Sequence, residues 1–160
     1  MNNTYLSGIG LLLVILAARW GTSYWRGRQF QGCWSKGWDA FKANDLVGAE
    51  AAFRVCVRLA PTASLAHRAL GSVLVKRGKL EEAEERLRFG SDLEPRNASG
   101  HLDLGFYYAL CVPDRVDDAI DSFAKAIEHK PELRAILAQE ARLAALRQHA
   151  KFKSILESHK

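Results

Sequence analysis

Three glycines, Gly37, Gly71 and Gly105, follow one another at intervals of 34 residues, and four further columns travel with them. Ala49, Ala83 and Ala119 fill the second, Phe53, Leu87 and Phe123 the third, Cys56, Gly90 and Ala126 the fourth, and Pro61, Pro95 and Pro131 the last. A period of this length means that one supersecondary unit is made repeatedly, and that each copy buries its apolar face against the next. Every column has a physical role in a helical hairpin. Glycine in the first helix and alanine in the second let two backbones approach closely. The large apolar residue fills the space above the crossing, and proline stops the second helix because it has no amide hydrogen to donate.

The pattern resembles the tetratricopeptide repeat, a helix–turn–helix unit of about 34 residues. That resemblance implies an all-α solenoid of three repeats at 30–63, 64–97 and 98–133, followed by a capping helix and tail over 134–160. Helices are predicted near 31–43, 46–59, 65–77, 80–93, 99–111 and 115–129. The third unit is two residues longer, and Pro113 in "CVPDRVDDA" places the surplus in the turn between its helices. At the fourth place of each unit, where the family has an aromatic residue, stand Cys33, His67 and His101; the two histidines read as packing or capping groups between repeats. One long helix is expected from about 132 to 157. Leu133, Ile136, Leu137, Ala141, Ala144 and Leu146 would face the last repeat, with Arg142, Arg147, Lys151 and Lys153 outside.

The chain begins differently. No charged side chain occurs from Met1 to Ala18, and an apolar run extends from Ile9 to Ala18. A cleaved secretory signal has basic residues before its apolar run and a small-x-small site after it, and neither is present. A membrane anchor within 1–29 fits better, since a helix from Tyr5 to Trp25 would rise about 30 Å; a helix lying in the membrane surface is the alternative. Tyr5 would mark one interface and Trp20, Tyr24 and Trp25 the other, with Arg19, Arg26 and Arg28 at the same headgroups. Because all three arginines follow the run, the expected protein is single-pass, with its amino terminus outside and the helical domain facing the cytoplasm.

Cys33, Cys56 and Cys111 are odd in number and form no C-x-x-C pair, so they read as free, buried apolar groups in a reducing compartment. Of the net charge of +5, residues 31–160 retain only +2, which gives no footprint for nucleic acid.

Catalysis needs a base, a nucleophile or a metal in fixed geometry, and the sequence offers none of these. The five histidines are scattered. "KLEEAEERLR" reads as a solvated helix face pairing Glu82 with Arg86 and Glu84 with Arg88. "PDRVDDAID" lacks the glycine and the closing glutamate of a calcium loop. The expectation is a binding protein with no enzymatic activity, metal or cofactor.

Curved helical stacks bind along the concave wall made by the first helix of each unit. By the resemblance, that wall carries Trp34, Trp38, Phe41 and Lys42, then Leu65, Arg68, Val75 and Lys76, then Leu102 and Phe106. The family's carboxylate clamp is missing, since Trp34, Trp38, Ala69, Ser99 and Asp103 occupy its places. Trp34 and Trp38 have a second reading, as packing for residues 24–30 arriving from the membrane. The function expected is a membrane-tethered scaffold that grips a segment of a partner protein and assists the assembly or organisation of a membrane-associated complex. A permanent subunit of a membrane complex and a targeting receptor are the alternatives, although Lys42, Arg68 and Lys76 disfavour a basic presequence as cargo.

Overall fold

The computed structural model describes residues 27–157. The readings placed on Tyr5, Arg19, Trp20, Tyr24, Trp25 and Arg26, and with them the anchor and its orientation, lie outside those residues. Among the described residues no helix is long and apolar enough to cross a membrane.

Three antiparallel helix pairs follow one another: α1 (27–42) with α2 (Leu46–Leu59), α3 (Ser64–Lys76) with α4 (Leu80–Leu93), and α5 (Ala98–Cys111) with α6 (Val116–His129). Each predicted glycine stands at the crossing of its pair. A Cβ added to Gly37 would lie 2.6 Å from Cε1 of Phe53, one at Gly71 2.7 Å from the Leu87 side chain, and one at Gly105 2.5 Å from the Phe123 ring. No real Cβ tolerates such distances, so the column of glycines and the column of large apolar residues specify each other. Phe53, Ala49, Leu87, Ala83, Phe123 and Ala119 are all buried, within one core that runs through the stack.

First helices form an inner layer: Lys76 of α3 lies over the Phe41 ring of α1 at 5.0 Å, and Arg68 of α3 meets Asp103 of α5 at 2.6 Å. Second helices form the outer layer. Turns between the layers explain why the third unit is longer. Asn44 (φ 60°) and Gly78 (φ 71°) end the first two inner helices in the left-handed conformation, which tolerates asparagine and glycine. The equivalent place in the third unit holds Val112, whose branched Cβ excludes that conformation. Val112 sits instead at φ −134°; α5 gains a residue, and a 3-10 turn over Pro113–Arg115 completes the connection.

The carboxyl-terminal helix is corrected. It breaks into α7 (Leu133–Gln139), 3-10 turns at Ala141–Leu143 and Leu146–Gln148, and α8 (Ala150–Glu157). Leu143, Leu146 and Phe152 are buried, while Ile136, Ala141 and Ala144 are exposed. A straight helix would hold Leu137 and Phe152 about 22 Å apart along its axis. The chain doubles back instead, and the Phe152 ring comes 5.7 Å from Phe123. Carbonyls released by the break are met by Arg147, whose Nη1 donates to Ala138 O at 3.2 Å and Glu140 O at 2.7 Å.

Candidate functional site

Side chains that join one repeat to the next fix the shape of the inner wall. At the first seam Glu50 is buried and receives hydrogen bonds from Lys79 at 2.9 Å, from Arg54 at 3.0 Å and from Arg77. Burial alone would raise this carboxyl; the three cationic donors overcome it and hold the pKa at about 2. Arg54 also reaches Glu82 at 2.7 Å. At the second seam the Tyr107 hydroxyl donates to Leu80 O at 3.0 Å, and that of Tyr108 donates to Glu84 at 2.8 Å. Burial, reinforced by Glu84, pushes the Tyr108 phenol up to about 12. Arg115 joins Glu84 at 2.6 Å and stacks over the Tyr108 ring.

One reading of charge holds and one changes. Glu84 meets Arg88 along its own helix at 3.6 Å, while the shortest bonds of Glu82 and Glu84 go to Arg54 and Arg115 of neighbouring repeats, because helix faces pointing across a seam find partners there. Arg86 is not matched to Glu82: its closest carboxylate is Glu85, at 3.6 Å.

His67 and His101 do cap between repeats. His67 Nε2 donates to Pro61 O and His101 Nε2 to Pro95 O, each at 2.8 Å. The histidine opening a unit thus fastens the turn that closes the unit before.

Among the described residues no repeat precedes the unit of Cys33. This cysteine is joined in a disulfide to Cys56 across the α1/α2 hairpin, with Cα atoms 5.8 Å apart, which overturns the reading of both as free thiols. The register had the signal. Fourth and twenty-seventh places meet in a repeat of this kind: in the second unit a Cβ on Gly90 would lie 3.2 Å from Cβ of His67. Cysteines at those two places of one unit are therefore within bonding reach. Cys111 remains a free, half-buried thiol, raised by burial.

An open cleft of about 260 Å³ lies between α3 and α5. Ser72, Val75 and Lys76 form one wall, Asp103, Phe106, Tyr107, Leu110 and Cys111 the other, and Leu87 the floor, with Arg142 at the edge. Of the residues anticipated for binding, Val75, Lys76 and Phe106 come together here. Arg68 and Asp103 bridge α3 and α5 beside them; burial raises the Asp103 carboxyl even though Arg68 pulls it down. Phe106 packs edge-on to Phe123 at 5.4 Å and carries the Arg142 guanidinium over its face at 4.6 Å. Leu102 is half-buried against the core, and Lys42 and Leu65 are exposed away from the cleft. Trp34 and Trp38 are half-buried, each 5.5 Å from Phe53, and Trp34 is stacked by Phe30 at 6.0 Å; Phe41 follows Trp38 at 5.5 Å. Of the three arginines expected at a membrane interface only Arg28 is described, and it is exposed.

Sequence reasoning missed Asp103, Tyr107 and Arg142 as cleft residues. Arg68 and Asp103 are opposite charges on successive inner helices and could have been paired. Arg142 could not, because its position depends on the break after Gln139. Among the described residues no group of three or more His, Cys, Asp and Glu side chains is disposed to hold a metal ion.

No protein-family model matches the chain, and no curated protein matches it. Solved structures do. An O-GlcNAc transferase variant from Thermobaculum terrenum aligns with TM-score 0.64 and 26% identity over 74% of this chain, which spans 22% of that one. The MamA protein aligns with TM-score 0.64 and 20% identity, covering 81% of this chain and 70% of that chain. The yeast Sti1 structure described as a TPR2B-domain:pHsp70 complex aligns with TM-score 0.59 and 13% identity, covering 81% and 96%. What the chain shares with these proteins is a tetratricopeptide-like helical-repeat fold.

Proposed function

We propose that this protein is a scaffold which binds a segment of another protein in the cleft between α3 and α5, and that it performs no chemistry of its own. The observation that carries this reading is the cleft itself: an apolar trough of Val75, Leu87, Phe106 and Leu110 with the cations Lys76 and Arg142 at its rim. Interface cores take this form, with aromatic and aliphatic anchors inside and polar groups around them. Arg68 is neutralised by Asp103, and Arg142 is bonded to Glu140 at 2.9 Å. Lys76 thus provides the positive edge of the cleft, which favours a segment with apolar side chains flanked by carboxylates. The Sti1 likeness, a domain described in a complex, supports the use of such a fold for binding.

Tethering to a bilayer through 1–29 belongs to the same proposal and rests on the uncharged run Ile9–Ala18. Confinement there raises the effective concentration of a membrane-borne partner. A permanent structural subunit and a targeting receptor are the rival roles; stoichiometric retention through salt and detergent marks the subunit.

A photoreactive phenylalanine in place of Leu110, which is exposed in the cleft, tests the site, with the same residue in place of exposed Phe89 as control. Adducts with one partner from position 110 and not from 89 support the reading; equal adducts from both end it.

A further inference from the structure

We infer that the helical domain works in an oxidising compartment, where the Cys33–Cys56 disulfide closes the amino-terminal end of the stack. Three observations lead there. First, the two sulfurs are bonded within a single hairpin, and both cysteines are buried, so the bond belongs to the folded core and is not an exposed regulatory pair. Second, cysteine occupies both contacting places only in the unit that needs a staple. The later units put histidine at the fourth place and bond it to the proline carbonyl of the unit before, as His67 does with Pro61 and His101 with Pro95. Among the described residues no earlier repeat offers the first unit such a carbonyl. A covalent link from α1 to α2 fastens this unit instead. Third, the twenty-seventh place takes glycine or alanine in the other units, Gly90 and Ala126, so packing alone does not call for sulfur at Cys56.

Structural disulfides persist outside the reducing cytosol. This pair therefore places the domain on the side opposite to that indicated by Arg19, Arg26 and Arg28, and the inference holds whether or not residues 1–29 anchor the chain. The bond forms by exchange. One cysteine thiolate attacks the disulfide of a dithiol–disulfide oxidoreductase, giving a mixed disulfide, and the second thiolate displaces it; the protein loses two protons and two electrons and the oxidant leaves as a dithiol. With Cys56 fully enclosed, exchange precedes completion of the fold.

The test uses the full chain carrying Cys111→Ala, expressed in its own host. Cells are quenched in acid, the protein is denatured, and free thiols are tagged with a maleimide that retards the chain on a gel. No tag without reductant and two tags after reduction are expected; two tags without reductant overturn the inference. Adding Cys33→Ala to this chain leaves Cys56 unpaired, and one tag without reductant then confirms an intramolecular bond. The compartment is read separately. A carboxyl-terminal alkaline phosphatase, active only where disulfides form, is expected to be active; an inactive phosphatase together with a fluorescent green fluorescent protein fusion overturns the placement.

Discussion

The two ends of the stack are closed by different means. At the amino-terminal end the first repeat is held by a covalent link and an aromatic ladder, Phe30 on Trp34 and then Trp34 and Trp38 on Phe53. At the carboxyl-terminal end the chain folds back on itself and inserts Leu143, Leu146 and Phe152. A repeat protein solves the burial of its middle units once, by period, because every interior repeat sees the same neighbours. Its ends see none on one side. Each end must be solved separately, so the ends carry the residues that break the pattern.

That difference is open to attack, beginning where packing alone does the closing. Phe152→Ala removes a fully buried ring from between α8 and α6, and the expected loss is about 4 kcal/mol in urea-induced unfolding. Because the cap rests on that ring, α8 should also lose amide-exchange protection while α3 and α4 keep theirs. Retained protection in α8 would mean that the doubled-back segment is held by something other than Phe152. The amino-terminal end should lose somewhat less. Cys33 and Cys56 are 23 residues apart in sequence, and chain-entropy reasoning for a loop of that size gives about 3 kcal/mol on reduction. Adding reductant should lower the unfolding midpoint of the native chain and leave that of a Cys33→Ala, Cys56→Ala variant unmoved.

Legibility followed the same division. The interior helices lie within about a residue of where the glycine and proline columns put them, since those columns encode sterics that recur in every unit. The turn into α6 was legible in length, and its cause in Val112 emerges only when Asn44 and Gly78 are seen with positive φ. The last helix was misread because helical spacing recurs in almost any alanine- and leucine-rich segment; Ile136, Ala141 and Ala144 satisfied the period and are exposed. The disulfide was misread because cysteines were counted along the chain, when the register of the repeat already set two of them face to face. Of the candidate site, Val75, Lys76 and Phe106 were legible from their places in the inner helices. Arg142 was not, since it arrives through tertiary folding after a break no local signal marks.

Between the ends, the first seam depends on a charge that the period does not encode. Glu50 has a folded pKa of about 2 against an ordinary value of 4.5. Its stabilisation is therefore fully present above pH 4.5 and is lost as the pH falls toward 2. The shift corresponds to about 3 kcal/mol. Arg54, Arg77 and Lys79 are themselves 27–41% exposed, so screening leaves about 2 kcal/mol as the expected cost of Glu50→Gln at neutral pH. The variant and the native chain should converge in stability as acid is added. Parallel curves down to pH 2 would show that Glu50 fills space and does not act through its charge.

Lys151 supplies the smallest expected effect. It lies one residue before Phe152 and meets Asp117 of α6 at 2.5 Å, so it spans the same junction as the buried ring. Both partners are open to solvent, at 64% and 68% exposure. A pair in that position gains little over hydration, loses side-chain freedom in holding one geometry, and is screened by salt. Lys151→Ala should therefore leave the urea midpoint within error at moderate ionic strength, with any difference that appears at low salt vanishing as salt is added. A loss from Lys151→Ala comparable to that from Phe152→Ala would show that charge, and not apolar burial, holds α8 in place. The carboxyl-terminal end would then be closed by the kind of contact that binds Glu50 at the first seam, and the contrast between packed end and charged seam would disappear.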